Sequence, residues 1–312
     1  MPPDPSSSRI EILEGVGVHT GEPSRIELIR RTDSSSGPLP GIRFYLPGQS
    51  APMGMDSLST LPRHANRATL LGSHGDAGGI LLHTPEHLFA ALLLFAECPL
   101  DIRFGAAELP ILDGSARPFR DALARLFPER SPAPAWREQP SQLAWEHAWP
   151  GGHIKVKPAA RFSVTCILSR PSLEETYRLA SADQAWREIL PARTFIFHQE
   201  WLQARAAGML KGATVDSGLL LAGSPEEHGL LGGLHPEWAA GPYPLLNQEA
   251  WRMPGEAVRH KVLDLLGDLA LSGLALPGID VEIRNGGHAV HHLLLDKLAK
   301  QRPAEPGPDS RG

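Results

Sequence analysis

Cysteine is nearly absent from this chain. Only Cys98 and Cys166 occur among 312 residues, far apart and outside any C-x-x-C spacing, which excludes both a disulfide framework and a cysteine-rich zinc knuckle. That scarcity fits a reducing compartment, and the expected location is the cytoplasm. Long apolar runs are missing as well. The most apolar stretch, Leu88 to Ala96, covers nine residues where a membrane-spanning helix needs roughly 20; it is expected to be a buried helix, and no membrane span is expected. There is no excess of positive charge. A formal net charge of -5 argues against nucleic acid as a partner and leaves room only for a local basic pocket that grips phosphates. The opening Met1-Pro-Pro-Asp-Pro-Ser-Ser-Ser has neither the basic start nor the apolar stretch of a signal peptide and reads as a short disordered lead.

What is present suffices for two ordinary domains, because 42% of the residues are hydrophobic and each half can bury a core. The clearest interruption of hydrophobic patterning is Pro128 to Gln142, rich in proline and polar residues. It divides the chain into residues 1–137 and 138–300, with 301–312 as a disordered tail. Before the division, Arg25–Ile29, Gly41–Leu46 and Leu100–Phe104 alternate like strands, and Leu88–Ala96 and Ala116–Phe127 look helical. After it, His153–Lys157, Phe162–Leu168 and Val281–Arg284 read as strands, and Gln199–Ala207, Gly255–Ser272 and Ala289–Lys300 as helices. The expected fold is α+β: two similar domains, each a two-layer sandwich.

Two segments carry the chemistry. Thr84-Pro85-Glu86-His87-Leu88 reads as a helix start, with threonine able to cap and proline suited to the first helical position. Glu86 and His87 then sit side by side in the first turn, about 100° apart around the axis. Both are poorly placed to ligate one metal, but a glutamate beside a ligand is well placed to take a proton from water. In the second segment His260 and Asp264 are four residues apart and face the same way, a spacing that presents two ligands to one ion. Asp268 lies a further turn along, too far to share the ion with His260, and suits a supporting role. His87, His260 and Asp264 would leave a fourth position open, as catalytic rather than structural zinc sites do. Either segment alone is more often the pattern of a surface pair than of a metal site. With fourteen histidines in the chain, His64, His74, His147, His153, His228, His235, His291 and His292 are taken as surface or structural residues, and His19 as either pocket lining or structure.

Six segments in order, Gly15–Gly21, Thr84–Leu88, Glu108–Phe119, Ala192–Phe195, Val258–Asp268 and Gly287–Ala289, make the chain resemble the UDP-3-O-acyl-N-acetylglucosamine deacetylase family, the zinc enzymes of lipid A synthesis. The resemblance spans almost the whole chain. It implies two two-layer α+β domains with the active site between them, one catalytic Zn2+ on His87, His260 and Asp264, and Glu86 as general base. It also implies His288 as the cation that protonates the leaving amine, Asp268 steadying His288, Thr194 donating to the oxyanion, and Lys261 assisting with substrate charge. The partner implied is a small acylated UDP-amino sugar, handled by a monomer; a His/His/Asp set admits iron as well as zinc. Gly15, Gly17 and Gly21 are expected in turns, and Asp113-Gly114-Ser115 as a tight turn.

Departures from the family pattern cluster at substrate recognition. In Phe195-Ile196-Phe197 an isoleucine stands where the family has glycine, beside the acyl passage; Lys211 is kept, while Ala213 and Ser217 replace a glycine and an asparagine. Asn285 replaces a lysine, with Arg284 beside it as a substitute phosphate partner, and His291 and His292 replace asparagines. Two other readings therefore stand beside the family's own activity: a related zinc deacetylase for a different N-acetylated sugar, and a sugar-nucleotide binder without turnover.

Overall fold

The computed structural model describes residues 10–31, 41–54, 58–60, 69–73, 80–130, 135–234, 242–248 and 250–301. The lead Met1–Ser8, His64, His74, His235 and residues 302–312 lie outside the described residues.

The first half runs β1 (Ile10–Val16), β2 (Pro23–Arg30), β3 (Ile42–Tyr45), β4 (Leu58–Thr60), β5 (Leu70–Ser73), β6 (Ile80–His83), α1 (Glu86–Leu92), β7 (Leu100–Phe104) and α2 (Arg117–Leu126). The second begins with β8 (Arg137–Gln139), β9 (Trp145–Trp149), β10 (Gly152–Pro158), β11 (Ser163–Arg170), β12 (Leu173–Leu179) and α3 (Ala182–Gln184), which continues into a π-turn. It proceeds through β13 (Phe195–Phe197), α4 (His198–Ala206), β14 (Leu219–Leu221), α5 (Pro225–Leu234), α6 (Glu256–Ala270), β15 (Ala275–Pro277), β16 (Ile279–Arg284) and α7 (His288–Ala299).

The architecture is α+β. One sheet has the order β1-β2-β7-β3 and the other β12-β11-β16-β10-β9, with parallel neighbours only at β3/β7 and β11/β16. Strand alternation does what it must on a half-buried sheet: Ile26 and Leu28 of β2 are buried while Arg25 is exposed and Glu27 half-buried. Helix α2 packs on the first sheet, α6 on the second, and α1 meets α6, so the two helical layers face each other between the sheets. Phe89 of α1 stacks on Phe44 of β3 with centroids 5.6 Å apart, which ties α1 to its own sheet. Buried apolar side chains from both halves form one continuous cluster.

Helix α6 is buried on almost every side, Arg259 and Lys261 being its exceptions, so its buried Glu256, His260, Asp264 and Asp268 must each find a partner inside the protein. Its first turn is held by Glu256, whose carboxylate accepts from Arg193 N and Nε (3.0 and 2.7 Å), Arg193 Nη2 (3.0 Å) and Arg252 N (2.7 Å). A negative charge at that end also suits the helix dipole.

The start of α1 differs from expectation. Thr84 does not cap: it adopts a left-handed conformation (φ 52°), its hydroxyl donates back to His83 O, and Pro85 is the N-cap. Thr84 N donates to Thr69 O at 3.0 Å. Gly15 lies within β1 rather than in a turn, whereas Gly21 (φ 73°) is a turn residue. Asp113-Gly114-Ser115 is the expected tight turn: Gly114 has φ 77°, and Ser115 N donates to Asp113 Oδ1 at 3.0 Å. Gln301, assigned to the tail, instead closes α7, its N–H donating to Leu298 O at 3.1 Å. Cys98 and Cys166 are both buried and unpaired.

Candidate active site

Helix α6 presents His260 and Asp264 on one face, with His260 Nε2 3.2 Å from Asp264 Oδ1. His260 Nδ1 stands 3.0 Å from Ala192 O. A carbonyl oxygen only accepts, so Nδ1 carries a proton, and Nε2 is the nitrogen turned toward the Asp264 carboxylate. From α1, His87 completes the group: its ring is edge-on to His260 with centroids 5.0 Å apart, and one ligand atom from each of the three residues lies within 4.8 Å of the others. Burial, then the neighbouring His260, lowers the His87 pKa to about 3, which keeps it in the neutral form that ligates metals. Burial alone would raise the Asp264 pKa, but Lys261 and His260 hold it well below the usual carboxylate range. Lys261 Nζ donates to Asp264 Oδ2 at 2.6 Å and so leaves Oδ1 to the histidines. These residues fit a divalent metal ion by donor chemistry and by spacing, since ligands around a tetrahedral zinc stand about 3.3 Å apart.

Beside this group the buried Glu86 has its pKa raised to about 7, first by burial. Glu86 Oε1 is 3.8 Å from His288 Nε2. The other ring nitrogen of His288 donates to Asp268 Oδ2 at 2.7 Å. Burial opposes a charge on His288, but Asp268 and Glu86 outweigh it and lift its pKa to about 10. A buried carboxylate and a buried cationic imidazole thus stand 3.8 Å apart beside the His/His/Asp group.

Asp268 collects more than the sequence suggested. His291 Nδ1 also donates to its Oδ2 at 2.7 Å, Thr69 Oγ1 donates to Oδ1, and His292 Nε2 is 3.7 Å from that oxygen. His291 and His292 are therefore not surface residues; they are 1% and 2% exposed. Helical spacing explains this, because residues three and four after His288 share its face. Asp268, His288 and His291 also form a compact group of metal-binding residue types. Their 2.7 Å separations are those of hydrogen bonds, shorter than ligand–ligand distances around an ion.

The LpxC family model, described as UDP-3-O-acyl N-acetylglycosamine deacetylase, matches residues 8–300. The chain belongs to that family. A UDP-3-O-acyl-N-acetylglucosamine deacetylase of Aquifex aeolicus (strain VF5) is 30% identical over 292 residues, covering 93% of this chain and 90% of that protein. One of Phenylobacterium zucineum (strain HLK1) is 30% identical over 299 residues, covering 94% and 92%. One of Anaeromyxobacter sp. (strain Fw109-5) is 29% identical over 303 residues, covering 94% and 86%.

In this LpxC-family chain a cavity of about 800 Å³ opens over the group. Its lining includes Glu86, His87, Lys261, Asp264 and His288 together with Thr194, Phe195, Ile196 and Phe197. Thr194 is pinned through its backbone, its N–H donating to Gly114 O (2.6 Å) and its carbonyl accepting from Leu219 N (2.7 Å). His19 lines the cavity too. Its loop is wrapped round Glu108, which accepts from His19 N at 2.7 Å and Thr20 N at 2.8 Å. A Cβ at Gly17 would overlap the Glu108 carboxylate, so any side chain there would have to displace it from this loop.

Two of the expected substrate residues are not brought in. Arg284 is outside the cavity lining and faces Glu174 (3.7 Å), and the exposed Lys211 is likewise outside it. Arg170, at the end of β11, does line the cavity, as does Trp201 of α4. Neither carried a motif signal. Asn285 lines it as well, but its side chain closes a turn, accepting from Ser169 N (2.8 Å) and donating to Gly151 O (2.7 Å).

Proposed function

We propose that the chain hydrolyses the N-acetyl group of a UDP-3-O-acyl-N-acetylglucosamine, releasing acetate and the free amine, as a step of lipid A biosynthesis. The observation that carries this reading is the convergence, in one cavity, of a His/His/Asp group with a buried carboxylate and a buried cationic histidine. Zinc held by His87, His260 and Asp264 would polarise the acetyl carbonyl and acidify the attacking water.

The remaining work falls to side chains. Glu86, made more basic by burial, accepts the proton that the attacking water gives up. Thr194, on a strand start fixed from both sides, donates to the oxyanion as it forms. His288, held in its charged form by Asp268, gives its proton to the amide nitrogen as the carbon–nitrogen bond breaks. Without that proton the leaving group would be an amide anion. Lys261, tied to Asp264, orients the ligand carboxylate and adds positive charge to the cavity wall.

Phe195, Ile196 and Phe197 supply an apolar wall for the acyl chain. Arg170 takes the place first given to Arg284 as diphosphate partner, and Lys211 remains a candidate for the outer rim. The reading takes residues 1–137 and 138–300 as two domains meeting at the cavity, supported by separate sheets and by ligands drawn from α1 and α6. It also takes the protein as a cytoplasmic monomer, in keeping with two unpaired cysteines. No helix among the described residues is long and apolar enough to cross a membrane.

The test is acetate release from acylated UDP-N-acetylglucosamine and from plain UDP-N-acetylglucosamine by metal-loaded protein. Turnover of the acylated sugar alone is the expected result. Turnover only of the plain sugar would favour a related deacetylase with another substrate, and turnover of neither a binding protein.

A further inference from the structure

Asp268 is wholly buried, and its carboxylate only accepts hydrogen bonds. Two imidazole nitrogens, His288 Nδ1 and His291 Nδ1, each lie 2.7 Å from the same oxygen, Oδ2. Both must therefore carry protons. The other oxygen is taken by the Thr69 hydroxyl, with His292 Nε2 3.3 Å from that hydroxyl. The proposed mechanism uses only the His288 bond and leaves the His291 bond unexplained.

We propose that His291 is a positioning residue for the proton donor: as second N–H donor on the oxygen that holds His288, it fixes the Asp268 carboxylate and weakens its grip on the His288 proton. This rests on the reading of His288 as the acid. An acceptor oxygen shared by two donors stabilises each less than it would stabilise one alone. With His291 absent, Asp268 would turn its charge wholly to His288, which would hold its proton more tightly and become a weaker acid. The groups facing this cluster are Glu86 and His87 from α1, Lys261 and Asp264 from α6, His292 from α7, and Thr69 before β5. Gly286 borders the other edge of the ring, since a Cβ there would stand 3.5 Å from His291 Nε2.

The experiment compares pH profiles of kcat/KM for the metal-loaded wild type, His291→Asn and His291→Phe. In His291→Phe the alkaline limb should rise by roughly one pH unit, and kcat should fall by up to about tenfold, the most that an acid weaker by one pKa unit loses. KM and metal content should hold. His291→Asn keeps an N–H donor and should return the limb toward wild type. An unmoved limb in folded His291→Phe overturns the proposal. Should that variant fail to fold, two-bond proton–nitrogen NMR of the wild-type imidazoles decides: a neutral Nδ1–H tautomer for His291 supports the assignment, and an Nε2–H tautomer overturns it. An alkaline limb that survives His288→Ala would count against His288 as the acid, and is distinguishable because the His291 tautomer is read without turnover.

Discussion

Gly267 of α6 lies directly against the backbone of Glu86 in α1: a Cβ at position 267 would overlap the Glu86 carbonyl. The two helices that carry the proposed base and all three proposed ligands thus touch backbone to backbone, and only glycine permits it. Gly267→Ala must push α1 outward together with Glu86 and His87. The expected cost is about 1–3 kcal/mol of overpacking, seen as a lower Tm, with weaker metal binding in the protein that still folds. Unchanged Tm and full metal content would show that α1 does not need this approach.

That crossing was invisible in the sequence, although both helices were legible. Helix α6 was readable because its apolar positions recur over a long stretch and its two proposed ligands sit one turn apart; β7 fell on the expected residues because Leu100–Phe104 alternates cleanly. The pair β13 and β14 was not readable. Three residues each, Phe195–Phe197 and Leu219–Leu221, are too short to show a period, and what makes them strands is their pairing with each other. The role of His291 and His292 was hidden for a different reason. Their spacing from His288 was plain, but the aspartate they surround comes from another helix. Arg170 and Arg284 show the same limit, because only tertiary structure tells which arginine faces the cavity.

Ligand and base should separate by measurement. Asp264→Ala removes the oxygen that faces His260 and also leaves the half-buried Lys261 without its partner. It should lose metal while remaining folded. Glu86→Gln keeps the shape, and should retain a full equivalent of metal yet lose about two to four orders of magnitude in kcat, the typical worth of a general base. Near-normal turnover in Glu86→Gln would move the base role elsewhere, and wild-type metal affinity in Asp264→Ala would remove Asp264 from the ligand set.

The pH dependence follows from His288. Its folded pKa is raised to about 10, above an ordinary value of about 6.5, so the cationic acid persists through neutrality and is lost as pH rises through about 10. The same shift stabilises the fold: the contribution is full below about 6.5 and disappears as pH climbs through the folded value. His288→Ala should remove the alkaline limb of kcat/KM and flatten the decline in stability over that window, measured by denaturant unfolding. If the limb persists in that variant, the acid is another group.

Arg170 and Arg284 offer a direct comparison. Arg170 lines the cavity beside Asn285, whereas Arg284 points to Glu174. If Arg170 receives the diphosphate, Arg170→Ala should raise KM for the UDP sugar about tenfold, the order of one charge-assisted contact, with kcat nearly unchanged and inhibition by free UDP weakened in parallel. Arg284→Ala should change neither. The reverse pattern would restore Arg284 to the site.

Ile196 sits on β13 opposite Leu220 of β14, lines the cavity, and packs with Trp201 against the small cluster of Leu220, Ala222, Leu231 and Leu246. Its four side-chain carbons occupy space that glycine would leave open. A filled apolar slot rejects methylenes that an open one accepts at roughly 0.8 kcal/mol each. The enzyme should therefore favour shorter acyl chains than a glycine-bearing relative, and Ile196→Gly should shift the preference toward longer chains with little change in kcat on short ones. Glycine within a strand itself costs about 0.5–1 kcal/mol, so the variant's fold is checked first by its melting curve. The decisive data are kcat/KM values across a series of acyl lengths for both proteins. Superimposable profiles would mean that the chain does not pass residue 196; the wall would then have to be sought at Leu210 and Val215, on another part of the same cavity.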